Sequence, residues 1–411
     1  MPGGDFDLER LLSPIVAADF FRDHWEKQPL LVSRKETGYY DGLLSTADVE
    51  HVIAFSRPKF ADSSAFSGEK TPEASFVQGW LADRPMPGGV RYPGIAELGQ
   101  AYGRGKTVVI MSMQQRWRPI AALCRHFEAI FHFPVHANMY LTPPGAQGFD
   151  VHFDTHEVFV LQLEGAKTWR LYGAPRPLPL VDEKLNVPRN ELGSPREIRL
   201  DAGDLLYIPR GFVHEAFTSD VRSLHLTVGV NIQRWSDLIH EALDDLSRRD
   251  ERFRGSIPPG VLGGGSVPEG LEGRFRELLA IMARDGRIGE AILGLGDKFF
   301  GQLSALPDAH FSSSSEFETI DPGTVLEKSP GAICRVMSDG KWVTLEFPGG
   351  QVGGPIKIAS ALEFVAKAGR FAVGDLPEGL GDSGKLVLAR RLLREGLLRV
   401  VGQPPTPRGE K

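Results

Sequence analysis

The sequence has little cysteine and no excess of positive charge. Its two cysteines, Cys124 and Cys334, lie far apart and match no zinc-ligand spacing. That favours buried free thiols in a reducing compartment over a disulfide framework. The formal net charge is −6, so the composition gives no bulk electrostatic reason for binding nucleic acid. These scarcities argue against a disulfide-rich secreted protein, a cysteine-ligated zinc protein and a general nucleic-acid binder.

Long apolar runs are also missing. No window reaches the roughly 18 apolar residues that a membrane-spanning helix needs, and the first residues carry neither the basic nor the apolar segment of a secretion signal. We therefore expect a cytoplasmic protein with no membrane contact. Its 411 residues, 41% hydrophobic and 24% charged, have an ordinary globular composition and are enough for two or three domains.

The N-terminal third of the chain predicts mixed helices and strands. Apolar residues recur at helical spacing from Ala17 to Trp25, Leu30–Val32 predicts an edge strand, and Lys106–Met111 predicts a buried strand. Residues 120–131 predict an amphipathic helix. Residues 59–105 are rich in glycine and proline, which predicts long loops over the core of the kind that often carry substrate contacts.

The middle of the chain predicts a β structure. From Pro134 to Ile232, short apolar or alternating segments are separated by turn residues, as is typical of a barrel or a double-sheet jelly roll. Its central stretch is Gly148–Tyr172, in which an apolar run predicts a buried strand and Glu164-Gly165 predicts a hairpin turn.

Ionisable residues precede that apolar run. Side chains two apart on a strand share a face, so His152 and Asp154 are expected to point the same way. An imidazole and a carboxylate aimed into an apolar interior need a partner, for which a metal ion is suited. An isolated His-x-Asp is a weak signal and is more often a surface pair. Here His214 follows in a later strand, and two imidazoles with one carboxylate form the facial triad of non-haem Fe(II) oxygenases.

The C-terminal part is predicted to be helical and then mixed. Apolar residues at helical spacing follow Trp235, residues 311–316 resemble a linker, and two helices with a final strand near residues 397–401 suggest a winged helix. Basic residues in this part could contact DNA, but the overall acidity favours a solvated helix face or a protein-contact module. We therefore expect no direct DNA binding.

Several motifs together resemble the JmjC-type ribosomal oxygenases, within the cupin-fold 2-oxoglutarate oxygenases. The match is dense over residues 135–232 and looser over the rest of the chain. The matching segments are Asn138-Met-Tyr140-Leu-Thr-Pro-Pro-Gly, Gln147-Gly-Phe, His152-Phe-Asp154, Glu157 to Tyr172, Gly203 to Glu215, Ser223 to Thr227 and Trp25-Glu-Lys-Gln-Pro-Leu.

The resemblance implies a set of site residues. His152, Asp154 and His214 would be the Fe(II) ligands, and Lys167 would pair with the distal carboxylate of 2-oxoglutarate. Many bacterial arginine-directed members have an arginine at this last position, whereas the histidine-directed eukaryotic members have a lysine, so the target residue stays open.

Other polar residues in this region carry weaker expectations. By resemblance, polar groups at Asn138, Tyr140 and Thr227 line the co-substrate pocket, although they could equally be satisfied polar groups of the barrel. His156 has the parity to face the iron, but the family pattern does not use it as a ligand, so we expect it behind the ligands or at the surface. His225 and Trp169 are expected to be packed in the barrel.

The resemblance also implies an α+β architecture and an activity. The chain would consist of a JmjC-type double-stranded β-helix catalytic domain over residues 1–234, a helical dimerisation domain over 235–316 and a winged-helix domain over 317–411. It would be a homodimer that uses Fe(II), O₂ and 2-oxoglutarate to hydroxylate the β-carbon of an arginine or histidine in a ribosomal protein.

Two alternatives remain open at this point. One is a 2-oxoglutarate oxygenase that acts on another protein or peptide, including demethylation. The other is a non-catalytic metal-binding cupin scaffold whose winged helix binds nucleic acid or protein. The presence of Lys167 argues against the scaffold, because such a protein needs no cation for a co-substrate.

Overall fold

The computed structural model describes residues 6–56, 59–62, 76–80, 95–263, 267–306, 317, 319–329 and 331–401. Over the whole chain, backbone contacts divide the protein into two compact units, Met1–Asn231 and Ile232–Lys411. Among the residues described, no helix is both long and apolar enough to cross a membrane. Both cysteines are unpaired, with Cys124 buried and Cys334 half-buried.

The first unit combines helices with a large sheet. Its helices are α1 (Leu8–Leu12), α2 (Ala17–Asp23), α3 (Thr46–Ser56), α4 (Ile95–Gly103) and α5 (Arg118–Phe131). Its strands are β1 (Leu30–Val32), β2 (Lys59–Asp62), β3 (Phe76–Trp80), β4 (Thr107–Ile110), β5 (Val135–Thr142), β6 (Glu157–Leu171), β7 (Arg196–Asp201), β8 (Leu205–Ile208), β9 (His214–Phe217) and β10 (Ser223–Val230). The predicted edge strand, the strand before residue 111 and the amphipathic helix are therefore confirmed.

The sheet is organised around β6. The strand order is β1-β8-β6-β10-β5-β4-β3-β2, and β7 and β9 pair with the second half of β6. The first half of β6 therefore belongs to one layer and its second half to another. Because β6 belongs to both layers, β5, β9 and β10 border a common interior.

The predicted hairpin at residues 148–172 is wrong. Glu157–Leu171 is one continuous strand of 15 residues. Gly165 has a φ of +65°, and a Cβ there would lie 1.8 Å from the carbonyl oxygen of Arg222. This residue bends β6 so that the strand leaves one layer and enters the other, which is a use of glycine that sequence alone cannot distinguish from a turn.

Both faces of β6 are buried. Phe159 and Leu161 pack with α5 and the N-terminal helices, where Phe20 and Phe127 contribute to the same core. Val158 and Val160, on the opposite face, pack against residues of β7, β8 and the second half of β6. A strand covered on both sides needs apolar residues at successive positions, which explains the uninterrupted run.

Residues 59–105 are not only loops. The structure places β2, β3 and α4 in this range, and β3 runs parallel to β4. The other positions of this predicted loop region, apart from residues 104 and 105, lie outside the described residues. The predicted linker at 311–316 also lies outside them.

The second unit contains five helices and two small sheets among its described residues. The helices are α6 (Trp235–Arg249), α7 (Leu271–Asp285), α8 (Ile288–Gln302), α9 (Ala359–Lys367) and α10 (Gly381–Arg394). The strands are β11 (Val325–Lys328), β12 (Arg335–Ser338), β13 (Trp342–Phe347), β14 (Gly350–Pro355), β15 (Arg370–Ala372) and β16 (Leu398–Val400). They form sheets in the orders β15-β11-β16 and β12-β13-β14. The dimerisation and winged-helix assignments, with their boundaries, stay predictions.

Candidate metal centre and its pocket

Three side chains converge in the first unit with the spacing of metal ligands. His152, Asp154 and His214 each offer one ligand atom, and these atoms lie within 4.8 Å of one another. The Nε2 atom of His214 is 3.6 Å from Asp154 Oδ2, and the two imidazole centroids are 4.5 Å apart. Among the described residues, this is the one such group of histidine, cysteine or carboxylate side chains.

The position of two of these residues differs from the prediction. His152 and Asp154 lie in the irregular segment before β6, so they do not share a strand face. Backbone hydrogen bonds hold them instead. The His152 and His214 backbones bond each other in both directions, at 3.0 and 2.7 Å, and Gly211 N–H donates to the Asp154 carbonyl at 2.9 Å. A two-residue bridge therefore replaces the predicted strand.

Hydrogen bonds also fix which nitrogen of each imidazole faces the centre. His152 Nδ1 lies 2.7 Å from the Asp150 carbonyl oxygen, and His214 Nδ1 lies 2.9 Å from that of Phe212. A carbonyl oxygen only accepts, so each Nδ1 must carry the hydrogen and each Nε2 keeps its lone pair. This second contact is the arrangement that metal-binding histidines use to fix their tautomer.

The electrostatics of the three groups suit a cation. Burial, and secondly His152, lower the pKa of His214 to about 4. Burial raises the pKa of Asp154, but His156, His152 and His214 lower it further, so its pKa lies below the ordinary value. At neutral pH the group therefore presents a neutral His214 and a carboxylate, the protonation states in which these residues bind metal.

The three ligand atoms open into a cavity of about 290 Å³. Two imidazoles and one carboxylate suit a divalent first-row metal, and three protein ligands leave further coordination positions for small molecules. The cavity is lined by Val109, Met111, His136, Asn138, Tyr140, Phe149, His152, Asp154, His156, Val158, Lys167, Trp169, His214, Ala216, His225 and Thr227. All seven residues predicted for the site from the sequence line this one cavity.

Lys167 is the unusual member of this lining. Its side chain is buried, and its Nζ donates to Thr142 Oγ1 at 3.1 Å. No ion pair to Lys167 exists among the described residues, and burial lowers its pKa to about 7. A buried ammonium without a counter-charge is costly. The pocket therefore has the chemistry to bind an anion at this end.

The polar residues of β5 and β10 face each other across the cavity wall. Tyr140 pairs in register with His225, and Asn138 pairs with Thr227. The rings of Tyr140 and His225 stack at 4.7 Å. Burial, and secondly Asp154, raise the pKa of Tyr140 to about 12, against hydrogen bonds from Thr227 and Asn138 that lower it. Asn138, Tyr140 and Thr227 are therefore coupled to one another as well as exposed to the pocket.

Among the lining residues that sequence reasoning did not assign to the site, four carry ring nitrogens. Trp169 and His225 are buried as predicted, yet both line the cavity. In the described part of the chain, the indole nitrogen of Trp169 and Nδ1 of His225 have no hydrogen-bond partner. His156 lies on the cavity wall, and His136 was not singled out at all. The positions of His136 and His225 follow from parity along β5 and β10, a signal that can be used only once the strand register is known.

A buried charge cluster supports the centre from the other side of β6. Glu157 accepts hydrogen bonds from Arg210 Nη1 at 2.9 Å and from the Tyr207 hydroxyl. Arg210 also forms an ion pair with Glu26. Glu157 lies three residues after Asp154, and Arg210 precedes Gly211, which binds the Asp154 backbone. The cluster thus ties together the two segments that carry the ligands.

Comparison with known proteins shows what this region is similar to. Residues 110–238 match the family model of the JmjC domain. Ribosomal oxygenase 1 of Gallus gallus is 37% identical over 268 residues, which cover 62% of this chain and 42% of that protein. A bifunctional lysine-specific demethylase and histidyl-hydroxylase NO66 of Drosophila persimilis is 34% identical over 233 residues, 56% of this chain and 32% of that protein. The chain thus spans less than half the length of these relatives.

A solved structure resembles nearly the whole chain. The Escherichia coli ribosomal oxygenase YcfD, in complex with cobalt and 2-oxoglutarate, superposes with a TM-score of 0.54, and the match covers 94% of this chain and 98% of that one. Its sequence identity is 19%, so the likeness concerns the fold. The predicted α+β, JmjC-type architecture is confirmed at this level.

Proposed function

We propose that the chain, whose residues 110–238 match the JmjC domain and which is similar to ribosomal oxygenase 1, is an Fe(II)- and 2-oxoglutarate-dependent protein hydroxylase. One observation carries the proposal: the same cavity is lined by a two-histidine, one-carboxylate triad and by a buried lysine that has no ion pair among the described residues. A metal-binding scaffold would account for the triad alone. The lysine requires an anion as well, which 2-oxoglutarate supplies.

Different residues of the cavity would bind the metal and the co-substrate. His152, Asp154 and His214 would hold Fe(II), which supplies the activation of O₂ when it is bound. Lys167 would bind the distal carboxylate of 2-oxoglutarate, with the Thr142 hydroxyl beside the ammonium. A carboxylate there supplies the counter-charge that burial otherwise denies the lysine.

Further lining residues would orient the co-substrate. Tyr140, Asn138 and Thr227 form a hydrogen-bonded group on the wall of the cavity that Lys167 and the triad also line. Nε1 of Trp169 and Nδ1 of His225, in the same wall, have no hydrogen-bond partner within the described ranges, which suits contact with a polar ligand. Their bulk also keeps the interior closed to bulk water, which limits side reactions.

For the substrate we propose a ribosomal protein side chain, hydroxylated at the β-carbon of an arginine or a histidine. Support comes from relatives named ribosomal oxygenase and histidyl-hydroxylase. The second candidate is demethylation, which the name of the Drosophila relative includes. The two differ in product, because hydroxylation adds one oxygen atom and demethylation removes a methyl group.

Assembly and location belong to the same proposal. We propose that the protein forms a homodimer through the helices α6, α7 and α8. We further propose that its C-terminal part is a winged-helix domain and that the protein is cytoplasmic. Large apolar side chains exposed on these helices support an interface: Ile239, Phe275, Leu279 and Ile292. Light scattering of the purified chain tests the dimer independently of activity.

The experiment that tests the activity is succinate formation from 2-oxoglutarate with Fe(II), with and without ribosomal-protein peptides that contain arginine or histidine. We expect one class of peptide to stimulate turnover and to gain a single oxygen atom. His152→Ala and Lys167→Ala should lose the activity, whereas Lys184→Ala, at an exposed lysine, should keep it. Failure of the wild type to bind or convert 2-oxoglutarate would contradict the proposal, and loss of a methyl group would replace hydroxylation by demethylation.

A further inference from the structure

Glu215 is a buried carboxylate that directly follows the candidate metal ligand His214. Its side chain has no exposed surface. It points away from the cavity, because His214 and Ala216 line the cavity and successive residues of a strand face opposite sides. Glu215 Oε1 accepts hydrogen bonds from the Tyr172 hydroxyl and from Arg189 Nη2, both at 2.5 Å. These two bonds fix the carboxylate in place, and its other oxygen, Oε2, holds a third partner.

The third partner of the carboxylate is Gln147. Its Nε2 donates to Glu215 Oε2 at 3.1 Å and to the backbone carbonyl oxygen of Phe149 at 3.0 Å. A carboxylate and a carbonyl oxygen only accept, so the nitrogen of the side-chain amide must face both of them. Gln147 therefore links the carboxylate of Glu215 to the backbone two residues further along the chain.

The segment that Gln147 holds is a bulge between two bridged pairs, Gln147 with Phe217 and His152 with His214. Residues 148–151 of this segment lie opposite two residues of β9. Four residues opposite two cannot all pair regularly, so the carbonyl groups of the bulge need other partners. Bulges next to active sites commonly change the direction of a side chain.

The bulge provides the contact that orients His152. Nδ1 of His152 lies 2.7 Å from the Asp150 carbonyl oxygen, which leaves Nε2 to face the metal centre. Only two rotatable backbone dihedrals, φ and ψ of Asp150, separate this carbonyl from that of Phe149. Gln147 fixes the Phe149 carbonyl, so it also restricts the Asp150 carbonyl and, with it, the plane of the His152 ring.

One carboxylate thus acts on both imidazoles of the centre. Glu215 is the chain neighbour of His214, and it reaches His152 through Gln147 and the bulge. Metal-binding histidines are commonly oriented by a carboxylate or a carbonyl oxygen in direct contact with the ring. Here the carboxylate acts one step further out, through the backbone that carries the carbonyl. Rotational freedom in either ring would weaken binding, because ligand atoms must be held in the coordination geometry.

We propose that Glu215 and Gln147 are positioning residues of the metal centre, which hold the bulge 148–151 so that His152 presents Nε2 to the metal. This inference rests on the proposed metal site and goes beyond it, because neither residue lines the cavity. Both act through hydrogen bonds to other groups. Arg189 supplies the charge that balances the carboxylate.

The first test is a double-variant cycle on the affinity of the full chain for Co²⁺, measured by calorimetric titration. Gln147→Leu removes the link, and Glu215→Gln removes the acceptor of that link at similar size. Each should weaken Co²⁺ binding about tenfold, as is common for residues that orient metal ligands. Because both act through the same bulge, the double variant should be no weaker than the weaker single variant. Independent effects would multiply to about 100-fold.

A matched control is Gln28→Leu. Gln28 Nε2 also donates to a backbone carbonyl oxygen, that of Asp23, at 3.0 Å. This bond lies in the N-terminal helical segment and has no link to the bulge or to β9. Gln28→Leu should therefore bind Co²⁺ with the affinity of the wild type.

Proton NMR of the Co²⁺-loaded protein separates positioning from a general loss of structure. Nδ1 of His152 and Nδ1 of His214 each lie at hydrogen-bond distance from a carbonyl oxygen. The wild type should therefore show two shifted imidazole N–H signals that exchange slowly with water. Gln147→Leu should speed up the exchange of one signal and leave the other unchanged. This variant still reports if Glu215→Gln does not fold.

The outcomes separate this inference from the proposed function. Unchanged Co²⁺ affinity in Gln147→Leu, effects that multiply in the double variant, or faster exchange of both N–H signals would overturn the inference and leave the proposed function standing. A wild type that binds no Co²⁺ would overturn both, because there would be no metal centre to position.

Discussion

Two buried polar clusters in the first unit show opposite solutions to the same problem. Glu157 and Arg210 are buried and pair with each other, with Tyr207 and Glu26 completing the contacts. Lys167 is equally buried, but among the described residues only a hydroxyl bonds its ammonium. Buried charges are normally paired. We therefore interpret the Glu157–Arg210 cluster as a structural ion pair and Lys167 as part of a binding site. Unmatched polar groups mark the place where a ligand belongs.

The largest effect on stability is expected from breaking the ion pair between Glu157 and Arg210. Glu157→Leu leaves Arg210 as a buried cation with Glu26 as its remaining carboxylate, and should lower the free energy of unfolding by about 3–5 kcal/mol. Urea denaturation of the metal-free protein measures it. The double variant Glu157→Leu/Arg210→Met should recover most of the loss, because an apolar pair needs no counter-charge. If Glu157→Leu is as stable as the wild type, the cluster does not stabilise the fold.

Removing the unpaired charge of Lys167 should change the stability in the opposite direction. Lys167→Met replaces a buried ammonium by an apolar chain of similar length, and should raise the free energy of unfolding of the metal-free protein by about 1–3 kcal/mol. The same denaturation experiment measures this, with Lys184→Met as the exposed control. A destabilised Lys167→Met protein would mean that the lysine is already satisfied without a ligand.

The cost of burying Lys167 should also appear in the pH dependence of stability. Burial lowers the pKa of folded Lys167 to about 7, against 10.5 for the ordinary side chain. Between these values the unfolded chain binds the proton that the folded protein has released, so this group makes stability rise with pH. The difference in unfolding free energy between wild type and Lys167→Met should therefore shrink from pH 7 towards pH 10. A difference that stays constant would contradict the lowered pKa.

The smallest effect is expected at an exposed ion pair. Arg276 and Glu272 are paired on α7 with both side chains largely exposed. Exposed pairs of this kind contribute little, because water screens them. Arg276→Ala should leave the urea midpoint unchanged within error. A clear loss of stability would contradict this prediction and would show that the pair lies in a buried part of α7, inside the proposed dimer interface and not beside it.

The sequence allowed the chemistry of the site to be predicted better than its geometry. The ligand types and their spacing identified His152, Asp154 and His214, and the family resemblance added Lys167. The hairpin was wrong because an apolar run buried on both faces looks the same before a turn and before a bend at Gly165. The ligand segment was assigned to a strand because parity was applied beyond the point where β6 begins.

What could not be predicted depends on pairing between distant strands. His136 and Gly229 face each other only through the register of β5 with β10. Nothing local in Val135–Thr142 distinguishes His136 from a surface histidine. The same register places Asn138 opposite Thr227 and turns separate polar residues into one wall. Long-range pairing therefore decides which of the many polar residues belong to the site.

The most direct test of the central claim is calorimetric titration of 2-oxoglutarate into the protein loaded with Co²⁺, for the wild type and for Lys167→Met. If the buried lysine and the triad form one co-substrate site, the wild type binds 2-oxoglutarate and the variant binds it at least tenfold more weakly. The Co²⁺ affinity, titrated separately, should be the same in both proteins. Equal 2-oxoglutarate affinity in both proteins, or no binding in either, would contradict the account.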